Sequence, residues 1–136
     1  IGGKSMGGRM SSMLLADNAL REDSDRLPIL GSACLGFPFH AVGKDPKDRL
    51  DHMAELTEPL LIVQGTRDTM GTQEEVLGYL EEDRVNSSVL MSWLEDGNHD
   101  LKPRKVSGFS HQEHIDSAID QVAEFVLALN KSALTK

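Results

Sequence analysis

A chain of 136 residues is long enough for one domain, which would bury roughly two-thirds of its unfolded surface. Its 39% hydrophobic and 26% charged content is that of an ordinary globular protein, and no apolar run is long enough for a membrane span. A net charge of −8 argues against a general nucleic-acid binder, and the lone Cys34 excludes an intrachain disulfide, so a reducing, cytoplasmic setting is expected.

The first element is the glycine-rich stretch IGGKSMGGR, Ile1 to Arg9, which supports two incompatible readings. Gly3-Lys4-Ser5 closes a phosphate-binding P-loop, whereas Gly3-Lys4-Ser5-Met6-Gly7 is a complete G-x-S-x-G nucleophile elbow. The P-loop needs a glycine five positions before Gly3, which precedes Ile1, and a helix that Gly7 and Gly8 would weaken in its first turns. The elbow needs small residues two positions either side of a strained serine, and Gly3 and Gly7 stand there. A glycine-rich turn without chemistry is the plain alternative to both.

Helical spacing of Met6, Met10, Met13 and Leu14 predicts a helix that fades near Asn18, with the methionines as core filler. An apolar, β-compatible run follows at Ile29 to Phe37, and a short helix is expected around Lys47 to Leu56. Leu60-Leu61-Ile62-Val63 is continuous rather than alternating, as parallel strands covered on both faces tend to be. Thr72 to Glu82 reads as a helix with Thr72 as cap and Glu75 completing a capping box. Ser88 to Leu94 reads as another strand, and Ser110 begins the last helix. There Ile115, Ile119, Val122, Val126 and Leu129 form one stripe expected to be buried. Alternation of strands and helices implies an α/β fold with a parallel sheet, whose chemistry gathers at the strands' carboxyl ends.

Ser5, Asp68 and His99 each stand in a loop leaving a strand, in the chain order expected of α/β hydrolases. The spacing leaves room for two strand–helix units and then for one. A serine hydroxyl is a weak nucleophile at neutral pH, so an imidazole must take its proton, and a carboxylate must fix that imidazole's tautomer. The backbone N–H of Met6 lies at a helix start and can face a developing oxyanion. Asp68 is equally at home as a plain turn residue in Gly-Thr-Arg-Asp, and Asp45 is a fallback acid. Asp96 or Asp100 could support the site. His40, His52, His111 and His114 offer no better base, and His111 with His114 has no third ligand spaced to complete a metal site. Lys4, Arg9 and the cluster Lys102, Arg104, Lys105 are candidates to attract an anionic substrate or are plain surface charge. Phe37-Pro38-Phe39 is either a pocket mouth or an apolar anchor.

Gly-Gly-Lys-Ser-Met-Gly-Gly-Arg (2 to 9), Leu-Gly-Phe-Pro-Phe-His (35 to 40), Gln-Gly-Thr-Arg-Asp (64 to 68) and Gly-Asn-His-Asp-Leu (97 to 101) carry a family likeness. The chain resembles the α/β-hydrolase-like family of bacterial serine hydrolases and eukaryotic chromatin-complex-related members, and is more distantly similar to dienelactone hydrolases. The resemblance implies Ser5 as nucleophile, Asp68 as acid and His99 as base, and leaves the substrate open; hydrolysis of a small ester or related acyl or lactone substrate, without a cofactor, is expected of the complete protein. A non-catalytic, protein-binding scaffold is the alternative, because chromatin-related members need not be enzymes. The family places several strands and the second oxyanion donor ahead of the elbow. Residues 1–136 are therefore expected to form one partial domain, the C-terminal half of the fold, weakly active at most by itself. That half should hold about three parallel strands flanked by helices, with the Leu60 strand in the middle. The edge near Ile29 should be covered by a second copy, a partner segment or Ile1 to Ser5.

Overall fold

A computed structural model describes residues 1–135. Its elements run β1 (Gly2–Lys4), α1 (Met6–Ala19), β2 (Ser32–Leu35), β3 (Leu60–Gly65), α2 (Gln73–Glu81), β4 (Val89–Leu94) and α3 (His111–Leu134). Every strand pair is parallel, in the order β1-β2-β3-β4, so β3 does lie between β2 and β4. The sheet has four strands rather than three. The extra one is β1, whose Gly2, Gly3 and Lys4 pair with Ala33, Cys34 and Leu35 and cover the edge of β2.

Strands added in one direction through right-handed crossovers place their connections on one face. Accordingly Leu15 of α1 and Val76 of α2 share a core with Cys34, Leu60 and Ile62, while Ala118 of α3 packs with Leu61 and Val63 on the opposite face. All six residues of β3 are buried, which explains the continuous apolar run Leu60 to Val63. The strand expected over Ile29 to Phe37 is confined to Ser32–Leu35, because Gly36 adopts a φ of 68° and turns the chain out of the sheet. Around Lys47 to Leu56 only a 3-10 helix forms, at Asp51–Glu55; Lys47 itself has a φ of 50°, incompatible with an α-helix.

Two helices turn a different face inward from the one their apolar spacing suggested. In α1 the buried residues are Gly8, Ser11, Ser12, Leu15, Ala16 and Asn18, whereas Met6 and Met10 are 62% and 54% exposed. The helix lies close on the sheet through small residues, with Ser11 Oγ bonded to Ser32 Oγ, leaving no space on that side for methionines. Along α3 the expected buried stripe is partly open: His114 and Ala118 are the buried residues, while Ile119 and Val126 are 59% and 45% exposed. The face that meets the sheet runs instead through His114, Ala118, Val122 and Phe125, and Ile119 and Val126 lie to one side of it.

Both capping boxes are formed, by Thr72 with Glu75 on α2 and by Ser110 with Glu113 on α3. Thr72→Ala should therefore cost about 1 kcal/mol of stability, read as a lower denaturant midpoint with an unchanged m-value.

Candidate active site

Because the strands are parallel, the loops after β1, β3 and β4 leave the sheet at the same end, and they carry Ser5, Asp68 and His99. Ser5 Oγ lies 2.8 Å from His99 Nε2, and His99 Nδ1 lies 2.7 Å from Asp68 Oδ2. Asp68 is fully buried while the His99 side chain is 26% exposed. An ionised carboxylate only accepts hydrogen bonds, so Nδ1–H donates to Asp68 and the lone pair of Nε2 faces the Ser5 hydroxyl. The geometry unites all three residues that the sequence singled out.

Ser5 occupies φ 51° and ψ −120° between β1 and α1, a conformation that costs a non-glycine residue about 1–3 kcal/mol. Its N–H donates to the Leu35 carbonyl at 2.9 Å, and its own carbonyl accepts from Arg9 N–H at 3.0 Å. The strained residue is thus held from both sides. Met6 is the first residue of α1, so its N–H has no acceptor within the helix and remains available beside Ser5.

The glycine requirement at the elbow differs from the expected one. A Cβ on Gly3 would come within 2.5 Å of the Gly7 carbonyl carbon, and one on Gly8 within 1.9 Å of Cys34 Sγ, but one on Gly7 would meet nothing within 4 Å. The tight pair is therefore Gly3 and Gly8, set by helix-to-strand contact, and Gly7 stands in open space. Gly7 and Gly8 do fall in the first turn of α1, so their helix-weakening effect does not separate elbow from P-loop. The bond from Ser5 to His99 does.

Asp68 is held within its own turn: Oδ1 accepts from Met70 N–H at 2.8 Å, and Oδ2 accepts from Gln64 Nε2 at 3.1 Å as well as from His99. His99 sits in a loop pinned by Asn98, whose Oδ1 accepts from the N–H groups of Asp100 and Lys102. The same loop is tied down by Asp96, buried at 6% exposure and bonded to Arg104 and Arg67. Hydrogen bonds from Arg104 hold the Asp96 carboxyl well below the usual range. Asp96 and Arg104 thus anchor the His99 loop. Lys4 pairs with Asp100 at 2.8 Å, one residue from Ser5 and one from His99, so the positive charge next to the nucleophile is locally neutralised.

The remaining histidines are engaged elsewhere. Burial opposes charge on His40, but bonds to Glu75 Oε2 at 3.0 Å and the Ala41 carbonyl at 2.8 Å raise its pKa, and neither ring nitrogen is left to act as a base. His111 reaches the Asp100 carbonyl and His114 the Glu95 carbonyl, so the two do not converge on a shared ion. Among the described residues no group of three or more His, Cys, Asp or Glu is placed to hold a metal. Ser12 and His52 form a second Ser–His pair at 2.8 Å, but Ser12 is fully buried and donates to the Arg9 carbonyl, so it accepts from His52 instead of giving it a proton. Burial first, then the charge of Asp68, push the Cys34 thiol up to about 12, which keeps it protonated and removes it as a rival nucleophile. Phe37 and Phe39 are fully buried core residues, which makes this stretch an apolar anchor. A groove of about 570 Å³ lies between β1 and α3 beside Ile29, Leu35, Val122 and Phe125, with Gly3 and Lys4, just before Ser5, on its wall.

An α/β fold with a parallel sheet, a strained serine after a strand, and a histidine and acid at neighbouring strand ends defines the α/β-hydrolase class. Residues 1–127 match the family described as alpha/beta hydrolase domain, and the chain belongs to it. It is also similar in fold to a provisionally assigned dipeptidyl aminopeptidase IV from Bacteroides ovatus, at 14% identity and a TM-score of 0.52. That match covers 88% of this chain but 18% of the peptidase chain. Among the described residues no helix is long and apolar enough to cross a membrane.

Two outcomes follow from these contacts. Gly7→Ala should leave stability unchanged or raise it by up to about 1 kcal/mol, whereas Gly8→Ala should lower the melting temperature, with partial recovery when Cys34→Ala is added. Asp96→Ala should destabilise the fold at neutral pH. Because the folded carboxyl is depressed, this contribution is present above its ordinary value of 3.8 and is lost as pH falls toward the folded pKa, so urea midpoints of variant and parent should converge in strong acid.

Proposed function

We propose that the intact protein is a serine hydrolase acting on small esters or related acyl or lactone substrates through an acyl-Ser5 intermediate. The observation that carries this reading is the unbroken hydrogen-bond chain from Ser5 Oγ through both nitrogens of His99 to a carboxylate with no solvent exposure. Ser5 Oγ attacks the substrate carbonyl carbon as its proton passes to His99 Nε2. Asp68, unable to relax into water, holds Nδ1–H and stabilises the imidazolium. The Met6 N–H donates to the oxyanion; a donor of this kind is typically worth about 10²–10³ in turnover. His99 then returns the proton to the leaving oxygen, and the same base draws a proton from water for attack on the acyl-serine, regenerating Ser5.

Likeness to a peptidase at 14% identity speaks for the fold alone, so ester and lactone carbonyls, which need no amine leaving group, remain the substrate class. The second reading is a non-catalytic scaffold, favoured by the apolar groove of about 570 Å³ between β1 and α3, which Ser5 does not line. In that case the exposed side of β1, together with α3, would seat a partner segment or a second copy.

A fluorophosphonate probe should label the intact protein, and Ser5→Ala or His99→Ala should abolish labelling, while His40→Ala should not. Asp68→Asn should lower kcat on an ester by roughly 10⁴-fold through the wrong imidazole tautomer. Labelling that survives Ser5→Ala would overturn the nucleophile. A folded intact protein inert to the probe and to a broad ester panel would favour the scaffold.

A further inference from the structure

Gln64 is the one polar side chain in a strand of otherwise apolar residues and glycine, and it is fully buried. Burying a primary amide is costly unless its donors and acceptor are all used. Here they are. Oε1 accepts from the Phe37 N–H at 2.7 Å, and Nε2 faces three acceptors at 3.1 Å each: the Phe37 carbonyl, the Gly71 carbonyl and Asp68 Oδ2. Two amide hydrogens serve three oxygens, so one is shared. The orientation of the amide follows from this set, since a flipped group would point its oxygen at three other oxygens.

These bonds join the three segments that must stay in register for Asp68 to meet His99. The two bonds to Phe37 fix the chain where it leaves β2. The bond to Gly71 closes the turn that carries Asp68. The bond to Asp68 Oδ2 falls on the same oxygen that accepts from His99 Nδ1 at 2.7 Å. With Met70 N–H on the other oxygen, the carboxylate has no freedom to rotate. Asp68 is too buried for water to replace any of these partners.

We propose that Gln64 is a positioning residue for catalysis, acting through Asp68: it holds Oδ2 at the angle that orients the His99 imidazole toward Ser5. This rests on the serine-hydrolase reading given above. Gln64 touches no reacting atom. Its side chain has the length, the neutral charge and the paired donors that the position demands. A carboxylate there would oppose Asp68, and a methionine would fill the space without holding anything.

The test is a double-mutant cycle in the intact protein, with kcat and KM on an ester and the fluorophosphonate inactivation rate as readouts. Gln64→Met should lower kcat by about tenfold to a hundredfold, the loss expected for one hydrogen bond to a charged group, with KM changed by less than about twofold. Added to Asp68→Asn, the same substitution should lower kcat by no more than about a further twofold, because the group it acts through is already disabled. An unchanged kcat in folded Gln64→Met, or an equal loss in both backgrounds, would overturn the proposal. Should Gln64→Met fail to fold, Gln64→Asn, which keeps a neutral amide but is one methylene shorter than the reach to Asp68 requires, runs the same cycle against the same two outcomes. Ser5→Ala in the same assays separates the two ideas. Activity that survives it defeats the hydrolase reading, whereas its loss alongside additive Gln64 effects defeats the positioning role alone.

Discussion

Parallel pairing of β3 with β2 on one side and β4 on the other fixes where every connecting loop leaves the sheet. The registers run Ser32 to Leu35 against Leu60 to Val63, and Val89 to Leu94 against Leu60 to Gly65. A shift of one residue in either pair would turn the buried side chains of β3 to the wrong faces and carry Asp68 away from His99. Register is secured by burial. Leu60 and Ile62 enter one core, Leu61 and Val63 the other, and none of the four can move without exposing apolar surface on both sides of the sheet.

On that platform the site is assembled from strained and buried parts that the core can support. Ser5, Asp96 and Leu101 all have positive φ without being glycine, at 51°, 61° and 62°. Such conformations persist where surrounding structure over-determines them. Ser5 is tied to Leu35 and Arg9 through its backbone, Asp96 to two arginines through its carboxylate, and Leu101 to the core on the α3 side through its side chain. The elbow and the histidine loop are thereby held at the same edge, with the Lys4–Asp100 ion pair spanning them at the surface. That exposed pair contributes little stability by itself, typically under about 1 kcal/mol. Asp68 is of another kind, a buried charge whose hydrogen-bond partners cannot be exchanged for solvent.

Apolar surface is left on both helical faces of the domain. Met6 and Met10 on α1, and Ile119, Val126 and Leu127 on α3, stand exposed, and a groove of about 570 Å³ runs along the free side of β1. The catalytic edge adjoins this apolar surface, since Met6 follows the nucleophile directly and Gly3 and Lys4 line the groove. A single domain can present both because the first is built by loops and the second by helix faces.

The sequence by itself determined what depends on local chemistry. The continuous run Leu60 to Val63 marked the central strand, Thr72 with Glu75 and Ser110 marked the helix starts, and glycines around Ser5 marked a backbone turn. Chain order then pointed to Ser5, Asp68 and His99, because parallel strands must send their following loops to one edge. What only the tertiary structure decided are matters of close approach. Apolar spacing could not reveal that α1 would turn Gly8, Ser11 and Ser12 inward and its methionines outward, since that choice depends on how near the helix lies to the sheet. Nor could it distinguish Gly8, which faces Cys34, from Gly7, which faces open space. Gln64 could be noticed in sequence as a polar residue ending an apolar run. Its hold on Asp68 exists only because Phe37 and Gly71, distant along the chain, fold back to take the rest of its hydrogen bonds.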